Sequence, residues 1–76
     1  MTDDAIRVNR ARAAVQRALV ISHLPDPRRR WLEAFHRKLL IIRDQGITLT
    51  PDNRARLERL THSVEDTVDR HRQALN

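Results

Sequence analysis

One segment, residues 26–46, most constrains the fold of this chain, because both of its ends carry helix-boundary residues. Asp26 is suited to accept hydrogen bonds from the first free backbone N–H groups, and Pro27 is suited to the first helical position. Gly46 is suited to the left-handed conformation that ends many helices. Between these ends, apolar residues recur at helical spacing, at Trp31, Leu32, Phe35, Leu39 and Ile42. The pattern predicts an amphipathic helix that supplies the centre of the core.

The first segment predicts a helix over 3–21 that is covered on more than one side. One apolar line consists of Val8, Ala11, Val15, Ala18 and Leu19. A second, nearly opposite line consists of Ile6, Ala13 and Val20. An ordinary surface helix has a single apolar face, so two lines indicate neighbours on two sides. The short connector that follows contains Pro25 and predicts that the first two helices are antiparallel.

The last segment predicts a long helix whose start is marked by Thr50 as the capping residue and by Pro51 at the first position. A narrow apolar seam then continues to the C-terminus through Leu57, Leu60, Val64, either Thr67 or Val68, His71 and Leu75. The residues before this helix, 47–50, are too few to form a sheet and predict an extended connector. We expect Ile47 and Leu49 to cover the end of the core from that connector.

Together these segments predict one all-α domain over residues 1–76. The expected fold is a small antiparallel three-helix bundle with helices over roughly 3–21, 27–44 and 51–74. A domain of 76 residues has a stability of only about 3–5 kcal/mol. The chain contains no cysteine, so neither a disulfide nor a thiolate metal site adds to that value. Self-association would complete the bundle.

The sequence predicts no enzyme. It contains no Gly-rich phosphate loop and no nucleophile motif, and its clustered carboxylates on the last segment are typical of a solvated helix face. We therefore expect no catalytic residue, no cofactor, no metal and no small-molecule substrate. No apolar run reaches the roughly 18–20 residues of a membrane span, which predicts a cytoplasmic protein without a membrane segment.

The leading functional hypothesis is a small adaptor or regulator that binds another protein or a second copy of itself. Several aliphatic residues lie off the main apolar faces of the first two helices, and a contiguous exposed apolar patch usually marks an interaction site. A histidine in the last seam is suited to make association pH-dependent. The predicted interface residues are Ile6, Val20, Leu40, Ile41 and His71.

The alternative hypothesis is a basic accessory protein that binds nucleic acid. Fifteen basic residues against ten acidic ones give a formal net charge of +5, and the excess lies in the first two segments. An arginine-rich helical face is suited to contact phosphates or an acidic protein. The predicted contact residues are Arg10, Arg17, Arg28, Arg29, Arg30 and Arg37.

Overall fold

The computed structural model describes residues 3–75. They form three helices: α1 (Asp3–Leu19), α2 (Asp26–Gln45) and α3 (Pro51–Leu75), and this part of the chain contains no strand. The side chain of Leu75, the last residue of the predicted seam, lies outside the described residues. The prediction of an all-α three-helix bundle is confirmed.

The predicted helix boundaries hold at two ends and fail at two others. Gly46 takes the left-handed conformation with φ 60° and ψ 36°, and its N–H donates to the Arg43 carbonyl. Thr50 caps α3, because its hydroxyl accepts a hydrogen bond from the Asn53 N–H at 3.2 Å. Asp26, however, is the first helical residue of α2, and Pro25 holds the capping position without a side-chain hydrogen bond. The first helix also ends at Leu19, two residues before the predicted end.

The helix that packs against both others is α1, so α2 is not the central helix, although it supplies Leu32, Phe35 and Leu39 to the core as predicted. Helix α1 packs against both of the other helices, whereas no Cα atom of α2 lies within 8 Å of a Cα atom of α3. Its buried residues are Val8, Ala11, Ala14, Val15 and Ala18. Of the two apolar lines in this segment only the first is covered by the other helices. The second is not, because Ile6 and Val20 are 53% and 82% exposed, so the prediction of cover on that side is wrong.

Side-chain size explains the arrangement. The three buried alanines of α1 let α2 and α3 approach it closely, whereas α2 presents larger buried residues, Leu32, Phe35 and Leu39. Two helix surfaces with large side chains are held further apart than surfaces with small ones. The prediction that Trp31 is a core residue is wrong. Its surface is 39% exposed, because it lies at the outer edge of the gap between α2 and α3.

The connector between α2 and α3 covers one end of the core with one of its two aliphatic residues. Leu49 is buried, as predicted, and belongs to the core cluster. Ile47 remains 42% exposed, so the prediction for this residue is wrong. Residues 47 and 49 of a regular extended strand would share one face, but this connector is not a strand, and only Leu49 is buried.

Asp4 ties the start of α1 to both the connector and α3. Its carboxylate accepts hydrogen bonds from the Arg54 guanidinium at 2.8 Å and from the Leu49 backbone N–H at 3.1 Å. Arg7 lies 3.5 Å from the same carboxylate. The Arg54 hydrogen bond, with the Leu49 N–H, lowers the pKa of Asp4 below its usual range.

This lowered pKa predicts acid sensitivity. A carboxylate whose pKa is lower in the folded chain stabilises the fold above the pKa of the unfolded chain, and that stability is lost as the pH falls through the folded pKa. We expect the urea midpoint of the wild type to decrease as the pH is lowered from about 5 to about 3. This range includes the ordinary aspartate pKa of about 3.9. In Asp4→Asn we expect a lower midpoint at neutral pH and a weaker pH dependence.

The matched control for this experiment is Asp44→Asn. Asp44 is exposed and pairs only with its neighbour Arg43 at 2.9 Å, so its removal should leave both the midpoint and its pH dependence close to those of the wild type. Equal pH dependence in the wild type and in Asp4→Asn would contradict the role assigned to Asp4.

Candidate functional site

A groove between α2 and α3 is a concave surface of the described residues with a mostly apolar lining. Because these helices do not touch at the backbone, their side chains leave an open trough of about 380 Å³ on the side away from α1. We call this trough the α2–α3 groove, and it is lined by Trp31, Ala34, Phe35, Lys38, Leu39, Ile42, Leu49, Asn53, Arg56, Leu57 and Leu60.

Both ends of the α2–α3 groove are closed by identifiable contacts. At one end Leu49 packs into the core cluster. At the other end Arg28 of α2 donates a hydrogen bond to the Thr67 hydroxyl of α3 at 3.2 Å. The same guanidinium lies 5.5 Å from the centre of the Trp31 ring, within the range of a cation–π contact. Trp31 in turn lies 5.3 Å from Phe35, ring centre to ring centre.

Within residues 3–75, no three histidine or acidic residues are close enough together to hold a metal ion. None of the three helices combines the length and the apolar composition that a membrane-spanning segment needs.

Comparisons with protein-family models, curated proteins and solved structures give no match. The functional residues of this chain therefore have to be identified from its own surfaces.

The predicted interface residues lie at two ends of the bundle. Ile6 and Ile41 are 53% and 51% exposed, and the antiparallel register of α1 and α2 places them at the same end. Leu40, beside Ile41, is half-buried. Val20 is 82% exposed and lies fourteen residues after Ile6, about 21 Å away along a helix axis.

His71, the fifth predicted interface residue, lies near the Val20 end. Glu65 of α3 pairs with Arg10 of the parallel helix α1. His71 follows Glu65 as Val20 follows Arg10, so both lie toward the same end of the bundle. The side chain of His71 is half-buried, as expected of a seam position. The structure therefore places Ile6, Leu40 and Ile41 at one end of the bundle, and Val20 and His71 at the other.

Three of the six predicted phosphate contacts are engaged within the fold. Arg10 donates two hydrogen bonds to the Glu65 carboxylate, at 3.0 and 3.2 Å, and this pair raises the pKa of Arg10. Arg28 bridges α2 and α3, and Arg29 donates to the carbonyls of Leu19 and Ile21 at 3.0 and 3.1 Å. The side chains of the other three make no ion pair or hydrogen bond with any described residue: Arg17, Arg30 and Arg37.

The contact of Arg29 explains why cations occupy the first turn of α2, where its own helix dipole opposes them. The antiparallel connection places the start of α2 beside the end of α1. There the last carbonyls of α1 lack helical partners and attract a cation. The Arg28–Arg30 run is therefore partly a structural feature that binds α2 to α1 and α3.

Sequence analysis missed the α2–α3 groove, although its residues carry a recognisable spacing. Trp31, Ala34 and Lys38 lie three and four residues apart on α2, and Asn53, Arg56 and Leu60 repeat the same spacing on α3. Each set forms a line along its helix. The lines alone do not predict a groove, because the gap between them depends on how far apart α1 holds the two helices.

Proposed function

We propose that this chain is a non-catalytic protein-interaction module that acts through exposed helix surfaces. Its partner is another protein or a second copy of itself. The α2–α3 groove is the observation that supports this proposal most strongly. It leaves an aromatic residue, Trp31, 39% exposed beside buried Phe35, and aromatic residues in partly desolvated pockets often dominate protein–protein binding.

A second apolar surface supports self-association. It consists of Ile6, Leu40 and Ile41, and we call it the α1–α2 edge. Ile6 and Ile41 are about half exposed, and the antiparallel register of α1 and α2 places all three residues at the same end of the bundle. Exposed apolar residues that form a patch are more typical of interfaces than of solvated surfaces.

Nucleic-acid binding has weaker support than protein binding. The net charge of +5 favours it, but Arg10, Arg28 and Arg29 already donate their hydrogen bonds within the fold. A phosphate would have to compete with a carboxylate or with helix carbonyls for these guanidinium groups. Retention of the chain on duplex DNA, falling steeply with salt, would favour this alternative.

The proposal is tested by solution mass and by capture of partners from the native host with variants of each surface. Ile41→Asp should lower the solution mass or remove a partner, because a charge at the α1–α2 edge is costly to bury. Trp31→Ser should remove a partner bound in the α2–α3 groove. Circular dichroism should show that both variants keep the helical content of the wild type.

Ile47→Ser is the matched control. Ile47 is as exposed as Trp31, at 42% against 39%, but it lies outside both surfaces, so its replacement should change neither mass nor capture. A wild-type chain that is monomeric at every concentration and captures no protein would contradict the proposed function.

A further inference from the structure

We propose that the α2–α3 groove binds an acidic amphipathic helix of a partner protein, about three turns long, which packs as a fourth helix between α2 and α3. This inference rests on the proposed protein-interaction function and adds the class of partner. It follows from the shape of the groove, its apolar lining and the sign of its charges.

The length of the groove matches a short helix. Its apolar lining extends along α2 from Trp31 to Ile42, eleven residues apart, or about 16 Å and three turns. The Arg28–Thr67 hydrogen bond closes one end and Leu49 closes the other. A helix in such a trough contacts it through residues at positions i, i+3 or i+4, and i+7.

The separation of the walls also fits a helix. No Cα atom of α2 lies within 8 Å of a Cα atom of α3, and side chains of both helices line the groove. A line of side chains from a third helix fits into the space between two such lines. With α1 on the opposite side, this addition would convert the three-helix bundle into a four-helix arrangement.

The charges of the groove select an acidic partner. Its only charged lining residues are Lys38 and Arg56, both exposed and both cationic. The register fixed by the Arg28–Thr67 bond places Lys38 level with Leu57, next to Arg56, so the two cations face each other across the trough. Neither side chain makes an ion pair or hydrogen bond with a described residue. Carboxylates on both flanks of a bound helix would relieve the repulsion between them.

A second copy of this chain is a poorer occupant than an acidic helix. Its net charge is +5, and its three helices already bury their apolar faces in their own bundle. An inserted helix from such a copy would bring further cations to Lys38 and Arg56, which disfavours the contact. The partner is therefore a different chain with acidic residues beside an apolar helix face.

A library of short helices tests the inference directly. Each displayed peptide, about 14 residues long, carries leucine at the four inward positions and either glutamate or lysine at each flanking position. Selection on the wild-type chain should enrich glutamate over lysine. Synthesised winners should shift the fluorescence of Trp31, the only tryptophan of the chain, and all-lysine versions should bind at least about tenfold more weakly.

Two double variants with equal charge change separate the groove from the general charge of the protein. Lys38→Glu with Arg56→Glu should reverse the selection, so that lysine is enriched. Arg30→Glu with Arg37→Glu removes the same charge from α2 residues outside the groove, so selection on it should still favour glutamate. The preference for glutamate in the wild type should weaken as salt concentration rises.

Several results would overturn the inference. These are the absence of any selected peptide, equal enrichment of glutamate and lysine, and an unchanged preference in the Lys38→Glu/Arg56→Glu variant. Displacement of the peptides by a small apolar dye or by duplex DNA with equal affinity would instead assign the groove to that ligand. The wild type would still capture a partner through the α1–α2 edge if the proposed function is right and only the groove inference is wrong. Failure of the inference can therefore be distinguished from failure of the proposed function.

Discussion

Phe35→Ala is expected to unfold the domain at ordinary temperatures. Phe35 is 9% exposed and belongs to the core cluster, and it also supports the ring of Trp31 at the edge of the α2–α3 groove. Truncation of a buried phenylalanine costs about 3–5 kcal/mol. This cost equals the whole stability of about 3–5 kcal/mol that a domain of this size has. The measurement is a thermal melt followed by circular dichroism.

The control for this prediction is Ile41→Ala on the same helix. Ile41 is 51% exposed, so its truncation removes little buried area and should change the free energy of unfolding by less than about 0.5 kcal/mol in the monomer. A melting temperature that hardly differs between Phe35→Ala and the wild type would show that the core is assigned wrongly.

Ala11→Leu should destabilise the bundle by separating helices that small residues now let meet. Ala11 is fully buried in α1, the helix that packs against both neighbours. Additional methylene groups in a packed core cost about 1–3 kcal/mol, a large share of the margin of this domain. Chemical denaturation should show the loss as a lower midpoint with an unchanged slope.

Ala55→Leu makes the same substitution on the exposed surface of α3 and serves as the control. Leucine and alanine both favour helix, so the midpoint should stay close to that of the wild type. If Ala11→Leu were as stable as Ala55→Leu, the close approach around α1 would not be the feature that organises the bundle.

The candidate site was less predictable than the fold. The exposure of Ile6 and Ile41 follows from helical periodicity, and their role in an interface stays a prediction. The engagement of Arg29 with the carbonyls of Leu19 and Ile21 was not predictable, since it needs the end of α1 to lie beside the start of α2. The α2–α3 groove likewise depends on a distance between helices that no single segment encodes.

The sequence by itself determined the number, type and approximate bounds of the helices. These properties are local: Gly46 and Thr50 end and begin helices through their own backbone and side-chain hydrogen bonds, and apolar spacing decides which face is buried. Only the tertiary structure decided that α1 is central, that Trp31 is at an open edge and that Asp4 joins α1 to Leu49 and Arg54. The physical reason is that these outcomes depend on the relative volumes of residues distant in the chain. The small alanines of α1 allow α2 and α3 to pack close to it, whereas the larger residues of α2 and α3 keep those two helices apart.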